Sequence, residues 1–334
     1  MPVTSSAPLP RTSASGTPRP ARRRTPGGLL VVAGAVLWGT VGTAQALSPY
    51  AGSPLGLATA RSGLAGLILL VIAAVTHGRD LPRLLLRPGV HGTDHRRVPR
   101  PRPAAHKNRP ARRFLLLGAA SMAVYQASFL TAMHLSGVSA GTLVAMGSAP
   151  LFAGVLGVLT GQRTSTRWLL ATTVAVAGLA VLLTPGVVTT AGAVTGLAAG
   201  MSFASYTWCS RRALDAGVPA VPLLAVFFVG AAVALAPFGG VDAVAWCLSP
   251  GGATVVVYLS VVATVTPYLV WIRGMASTAP AAATTLALAE PLTAAVLAVA
   301  RLGEPVTGRL AAGAALLAVG LLLTTARRAT PRRP

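Results

Sequence analysis

The sequence predicts an all-α integral membrane protein of ten transmembrane helices, arranged as two inverted five-helix repeats. Three observations carry that prediction. First, 53% of the 334 residues are hydrophobic, only 10% are charged, and the mean hydropathy is +0.68. This composition excludes an ordinary soluble domain and fits a chain that crosses a bilayer many times. Second, the apolar residues gather in long runs, most near the length of about twenty residues that a helix needs to span the hydrocarbon core. Third, the stretch 279–325 is a degenerate copy of 138–184. Pro291 matches Pro150, Gly303 matches Gly161 and Gly320 matches Gly178, at spacings of 141 for the proline and 142 for the glycines. A repeat of this length governs the whole fold. Five helices per half is an odd number, so the second copy enters the membrane upside down relative to the first. Inverted repeats are a hallmark of secondary transporters, with the substrate near the midplane between the halves.

Taken in order, residues 1–27 are rich in Pro, Ser, Thr and Arg and read as a disordered basic tail. Helix 1 covers about 28–48. Its basic flank, apolar core and Ala44-Gln45-Ala46 have the form of a cleaved signal peptide. Removing it would leave the first half one helix short of the second, so it is read as a span. Helix 2 covers about 55–75 and carries Arg61. The longest loop, 76–113, holds eleven basic residues. Helix 3 covers about 114–135, helix 4 about 139–159 and helix 5 about 168–184, which closes the first repeat, 28–184. Helix 6 covers about 192–210, helix 7 about 221–237, helix 8 about 253–272, helix 9 about 280–300 and helix 10 about 307–325. The second repeat is thus 191–326, followed by a basic tail, 327–334.

The net charge of +22 invites a nucleic-acid reading. The charge lies between apolar runs rather than on one folded surface, so no nucleic-acid partner is expected. Ten helices put both chain ends on one side. Of the 28 basic residues, 25 fall on that side, Arg301 and Arg309 fall on the other, and Arg61 lies within a helix. The positive-inside rule then places both termini in the cytoplasm, and a bacterial inner membrane is the expected location. The basic loop is mainly a topology determinant, with contact to anionic lipid a secondary role. Cys209 and Cys247 have neither metal-ligand spacing nor a disulfide framework, and no cofactor is implied.

The order and spacing of several short motifs resemble the drug/metabolite transporter superfamily, EamA type. They are Trp38-Gly39 in helix 1, Arg61 in helix 2, Ala149-Pro150 in helix 4, Glu290-Pro291 in helix 9 and Leu302-Gly303-Glu304, with Gly178 and Gly320 in the closing helices. The resemblance covers about 28–326. It implies transport of small metabolites, often export of amino acids or related compounds. It also implies a cavity lined by the first four helices of each half, with helices 5 and 10 as peripheral supports. The sequence departs from the family pattern at Ala149, Gln162 and Arg163, where the first half lacks acidic residues.

Glu290 and Glu304 are the only glutamates. A carboxylate at the centre of an apolar span costs about 2.5–3.5 kcal/mol on insertion scales, so Glu290 needs a partner or a task. It is read as a group that binds a cationic substrate moiety or cycles a proton, or as a buried link to Arg61. Arg61 is read as a clamp for a substrate carboxylate, or as a salt-bridge partner or a snorkelling side chain. Pro291 cannot donate to the carbonyl of Ala287, which leaves that oxygen open to a ligand or water; the alternative is an ordinary kink. Pro150 is its counterpart in helix 4. Glu304, ahead of Pro305, fits a structural cap of helix 10.

Tyr125, Gln126, Tyr206 and Tyr268 are polar groups within spans, read as lining the path or as interfacial anchors. Trp38 and Gln45, seven apart, share a face of helix 1. Gly192, Gly196 and Gly200 fall every fourth residue on helix 6 and read as a close-packing or sliding surface. Together these features predict a secondary transporter, an exporter, working by alternating access on a small-molecule substrate. The partners implied are that substrate and the lipid bilayer, and a homodimer is compatible with the sequence. The rival readings are a membrane-embedded enzyme, which this chain's five scattered histidines do not favour, and a scaffold or sensor without transport, which would not need an arginine and a carboxylate at membrane depth.

Overall fold

The computed structural model describes residues 27–47, 54–78, 108–162, 164–183, 188–239, 241–303 and 305–325. All the regular structure in these residues is helical. It forms ten membrane-spanning units in two inverted repeats. Seven of the helices are long and apolar enough to cross a membrane by themselves. The other three fall short for different reasons. Helix 1 is divided at Gly39 into Gly27–Trp38 and Thr40–Leu47. Helix 5, Thr166–Leu182, has only 17 residues. Helix 6, Thr190–Asp215, has 26 residues but is built largely of Gly, Ala, Ser and Thr, which lowers its hydropathy.

The remaining spans are helix 2 (Pro54–His77), helix 3 (Asn108–Ser136), helix 4 (Val138–Leu159), helix 7 (Ala220–Leu235, extended by a tight turn Ala236–Phe238) and helix 10 (Gly308–Thr325). Helix 8 runs from Pro250–Ser260 through a single π-helical turn, Val261–Val265, into Thr266–Met275. Helix 9 is broken into Pro280–Leu286 and Ala289–Leu302. A further short helix, Val241–Leu248, joins helices 7 and 8 and was not expected from the sequence.

Two boundaries move outward. Helix 3 starts at Asn108, inside the expected loop, because Arg112 and Arg113 are good helix formers that carry the helix past its apolar part. Helix 6 continues to Asp215, where Arg211 Nε donates to both carboxylate oxygens at 3.0 Å. The same guanidinium donates from Nη1 to the carbonyls of Met275 and Ala276, tying the end of helix 6 to that of helix 8. The two basic tails and most of the basic loop lie outside the described residues.

Helices 5 and 10 make the repeat visible in three dimensions. They pack against each other along their length. A Cβ on Gly178 would press on the backbone of Leu316 and Leu317, and a Cβ on Gly320 would lie 2.6 Å from the backbone nitrogen of Ala175. Gly320 and Leu317 stand 142 residues beyond Gly178 and Ala175. The two contacts are therefore one contact seen from either side. The arginines repeat the relation. Arg167 Nη2 donates to the Leu323 carbonyl at 2.8 Å, and Arg309 Nε donates to the Val181 carbonyl at 3.0 Å. Both pairs are again related by 142. As the number rises along one helix it falls along the other, so the pair is antiparallel. A self-complementary contact between antiparallel helices has a two-fold axis across them, which is the symmetry of an inverted repeat. Gly161 and Gly303, also mates, both adopt the left-handed conformation that glycine tolerates, with φ of 78° and 71°.

The halves interlock rather than lie side by side. Helix 1 packs on helices 8 and 9 of the second half, and helix 6 packs on helices 3 and 4 of the first. Helix 2 packs on helix 7. The buried core runs continuously through both halves.

Candidate functional site

The site lies where helix 1 crosses helix 9. Both are broken there, and the breaks meet. A Cβ on Gly39 would stand 2.6 Å from the Glu290 carbonyl oxygen and 2.6 Å from Thr293 Cβ. Only glycine lets the two backbones approach this closely. In helix 9 the break has a different form from the one expected. The Ala287 carbonyl is not left open by Pro291; it accepts the Glu290 N–H at 2.9 Å, while Leu288 N–H donates to Thr285 at 3.1 Å. The chain tightens by a turn and satisfies its own backbone, so that carbonyl is not offered to a ligand.

Glu290 heads the second part of helix 9, next to buried Pro291, and is itself only half-buried. Among the described residues its carboxylate makes no hydrogen bond and no ion pair. Arg61 is close enough for its charge to act on Glu290 without touching it. Arg61 is buried, at 9% exposure, and its Nη2 donates to Gln126 Oε1. Gln126 is fully buried and donates from Nε2 to Ser62 Oγ at 3.2 Å. Ser260 Oγ donates to the Arg61 carbonyl at 3.3 Å, linking helix 8 to helix 2. The Nε–H of Arg61 has no partner.

Aromatic rings form the wall beside this pair of charges. Trp38 lies 4.8 Å from Tyr268 and 4.9 Å from Trp271, centroid to centroid. Tyr125 stacks on Phe129 at 5.5 Å and lies 5.2 Å from Phe203. Tyr125 and Tyr268 both lie within the field of Arg61 and of Glu290. Tyr206 is fully buried behind them, edge-on to Phe227 at 5.8 Å. The Trp38 indole N–H is buried without a hydrogen bond. The Tyr206 hydroxyl and the Trp271 indole N–H lie near each other without completing one.

Around this site helix 9 is tightly packed at one end and more exposed at the other. On helix 9, residues 283–289 are all buried, whereas every residue from 292 to 300 is partly or fully exposed. That second part still packs on helices 1 and 10, but more loosely than the buried part before it. The tightly packed end is fastened by hydroxyls. Thr172 and Thr285 Oγ1 are 2.9 Å apart, and Trp168 Nε1 donates to Thr285 at 3.2 Å. A separate cavity of ≈ 330 Å³ lies at that end, lined by Gln162, Arg167, Trp168, Ala281 and Thr324 among others.

The structure thus brings Arg61, Gln126, Glu290, Trp38, Tyr125 and Tyr268 to one place, with Tyr206 behind. Gln45 lies in the short helix Thr40–Leu47, but its side chain, like the whole of Glu304, is outside the described residues. Pro150 stands in an unbroken helix 4. A Cβ on Gly196 or Gly200 would press on Val144 and Ala145 of helix 4, and one on Gly192 on Ser136 of helix 3. Ser62, Ser260 and Phe203 were not singled out from the sequence. Serines at positions 62 and 260, within apolar runs, were the available signal. Among the described residues no three His, Cys, Asp or Glu side chains come together to hold a metal ion.

Comparison with known proteins extends these observations. The family model described as the EamA-like transporter family matches residues 25–184 and 190–326. A Bacillus subtilis (strain 168) protein, "Uncharacterized transporter YwfM", is 33% identical over 302 residues, which is 89% of this chain and 93% of that one. An "Uncharacterized transporter" of Archaeoglobus fulgidus is 30% identical over 208 residues, 59% of this chain and 70% of its own. One crystal structure superposes with a TM-score of 0.67 at 21% identity, covering 89% of this chain and 96% of its own. At that identity it speaks to the fold alone.

Proposed function

The chain belongs to the EamA-like transporter family, and from that premise we propose that it is a secondary transporter exporting small metabolites, amino acids or related compounds, by alternating access. It is a multi-pass membrane transporter; the substrate class, the direction and the mechanism are our reading. One observation carries that reading. At the crossing of two broken helices, a carboxylate that makes no ion pair among the described residues and a buried arginine lie near each other beside a wall of aromatic rings, where helix 9 passes from fully buried to partly exposed. Charges at membrane depth that make no ion pair are costly, and a structural role would be better served by pairing them. A site packed tightly on one side and exposed on the other fits one half of an alternating-access cycle.

The proposed setting is a bacterial inner membrane with both termini in the cytoplasm. In that orientation the exposed end, which carries Leu47 and Leu302, faces outward. Glu290 then has the coupling role, either cycling a proton or serving as a fixed counter-charge for an ammonium group.

Flux into or out of proteoliposomes, screened over the twenty amino acids and measured with and without Glu290→Gln, tests this. The amide is cheaper to bury than the ion, so the variant is expected to fold and to lose concentrative flux. Concentrative transport retained by Glu290→Gln would refute the coupling role. No flux of any amino acid would refute the substrate class.

A further inference from the structure

We propose that Gln126 is a positioning residue that keeps Arg61 an unpaired cation, and that Arg61 thereby receives an anionic, carboxylate-class group of the transported molecule. This deepens the transporter reading above and rests on it.

The argument begins with what holds the guanidinium. A buried arginine is ordinarily matched by a carboxylate, which neutralises it. Here the partner is an amide. Gln126 Oε1 accepts from Arg61 Nη2, and the other end of the same amide is tied to Ser62 Oγ at 3.2 Å. With both ends engaged and no exposure, the Gln126 amide is held in one orientation. It fixes where the guanidinium sits and leaves the charge in place.

The second step concerns what the guanidinium still offers. Arginine has five N–H donors in a planar fork. Only Nη2 is used within the described residues, and Nε–H is buried with no acceptor. A buried donor without a partner is unfavourable until an acceptor arrives. Glu290 is near but makes no ion pair with it, so the acceptor is not supplied by the protein in this state. The planar fork fits a carboxylate with two parallel bonds.

The third step concerns selectivity. Arg61, which makes no ion pair, disfavours a molecule that brings only positive charge beside Trp38, Tyr125 and Tyr268, and the nearby Glu290 meets an ammonium group on a molecule whose anion Arg61 holds. Aromatic faces alone would welcome an organic cation. The arginine is the repulsive element against that class, so the site takes molecules that carry an anion with or without an ammonium group.

Benzoate and benzylammonium share a ring and differ in the sign of their charge. Thermal melting of the purified full-length protein, titrated with each, reads the preference. Benzoate is expected to raise the melting temperature of the wild type and benzylammonium is not. Arg61→Lys keeps a cation but loses the fork, and is expected to bind benzoate at least about tenfold more weakly. Gln126→Glu places a carboxylate against the guanidinium. That variant is expected to melt higher than the wild type and to ignore benzoate, a combination that a merely structural role for Gln126 does not produce. A wild type that ignores benzoate, or prefers benzylammonium, overturns the proposal; so does a Gln126→Glu protein that binds benzoate as the wild type does. Flux in proteoliposomes without benzoate binding would sink the anion site and leave the transporter reading standing. Benzoate binding without flux of any amino acid would do the reverse.

Discussion

Gly39→Ala is the smallest change that tests the crossing of helices 1 and 9. Gly39 is not at a positive φ, so alanine can adopt its backbone and the effect is steric alone. The added Cβ would lie 2.6 Å from the Glu290 carbonyl oxygen and 2.6 Å from Thr293 Cβ, where ordinary contact begins at 3.4 Å. The helices must therefore part by roughly 0.8 Å, since close-packed interiors have no slack to absorb the overlap. Overpacking of this kind costs about 1–3 kcal/mol. Because one of the two obstacles is backbone, trimming Thr293 cannot relieve it.

The displacement falls on Glu290 itself. Misplacing a functional group by about 1 Å can cost a hundredfold where geometry matters, so transport is expected to fall at least tenfold, roughly, while the protein still folds. Gly63 provides the control. Nothing lies within 4 Å of a Cβ there, and alanine in a helix is favoured over glycine by about 1 kcal/mol. Gly63→Ala should therefore melt at or above the wild type and transport normally. Melting in detergent and flux in proteoliposomes, run on both variants, read the two effects. A Gly39→Ala protein as stable and as active as Gly63→Ala would refute the close crossing and, with it, the placement of Glu290.

Two further predictions concern the arrangement in the membrane. Reporter fusions at Ser5, His95 and Thr330 are expected to report cytoplasm and one at Asp242 the outside, from the bias of 25 basic residues to 2; an outside reading at His95 would sink the orientation. Arg167→Ala and Arg309→Ala remove the two equivalent caps of the helix 5 and 10 pair. Arg167 is half-buried and should cost about 1 kcal/mol in melting experiments, whereas exposed Arg309 should cost less. A larger loss at Arg309 would contradict the solvent-screening argument.

Much of this architecture was legible because it is written as periodicity. Ten apolar runs and a 142-residue offset gave the spans and their inversion, and the offset reappears as paired contacts at Gly178 and Gly320. The breaks were less legible. Helix 9 yields at Ala287 and Leu288, ahead of Pro291, and helix 4 carries Pro150 without yielding. Repeat-mate prolines thus give two outcomes, because tertiary contacts decide whether a proline kinks its helix. The bond from Arg61 to Gln126 joins residues 65 apart in sequence. Each could be singled out as polar within a span, but nothing local shows that one holds the other.

The absence of a carboxylate at Ala149 has a physical counterpart in the fold. Helix 6 crosses helix 4 as helix 1 crosses helix 9: a Cβ on Gly200 would lie 2.7 Å from the Ala145 carbonyl and 3.1 Å from the Ala149 nitrogen. Ala149 is the repeat mate of Glu290, so the crossing is kept and the carboxylate is not. Arg61 stands on helix 2, which packs on helix 7, and helix 7, Ala220–Leu235, contains no charged residue at all. A glutamate at position 149 would therefore be a buried anion without a cation from the corresponding helix of the other half. A buried charge without an opposite charge nearby is costly, so the first-half crossing offers no electrostatic support for a second carboxylate. The helix crossing depends only on small residues and survives in both halves. The charges stand at one crossing only, so an inverted pair of similar halves presents a single charged site.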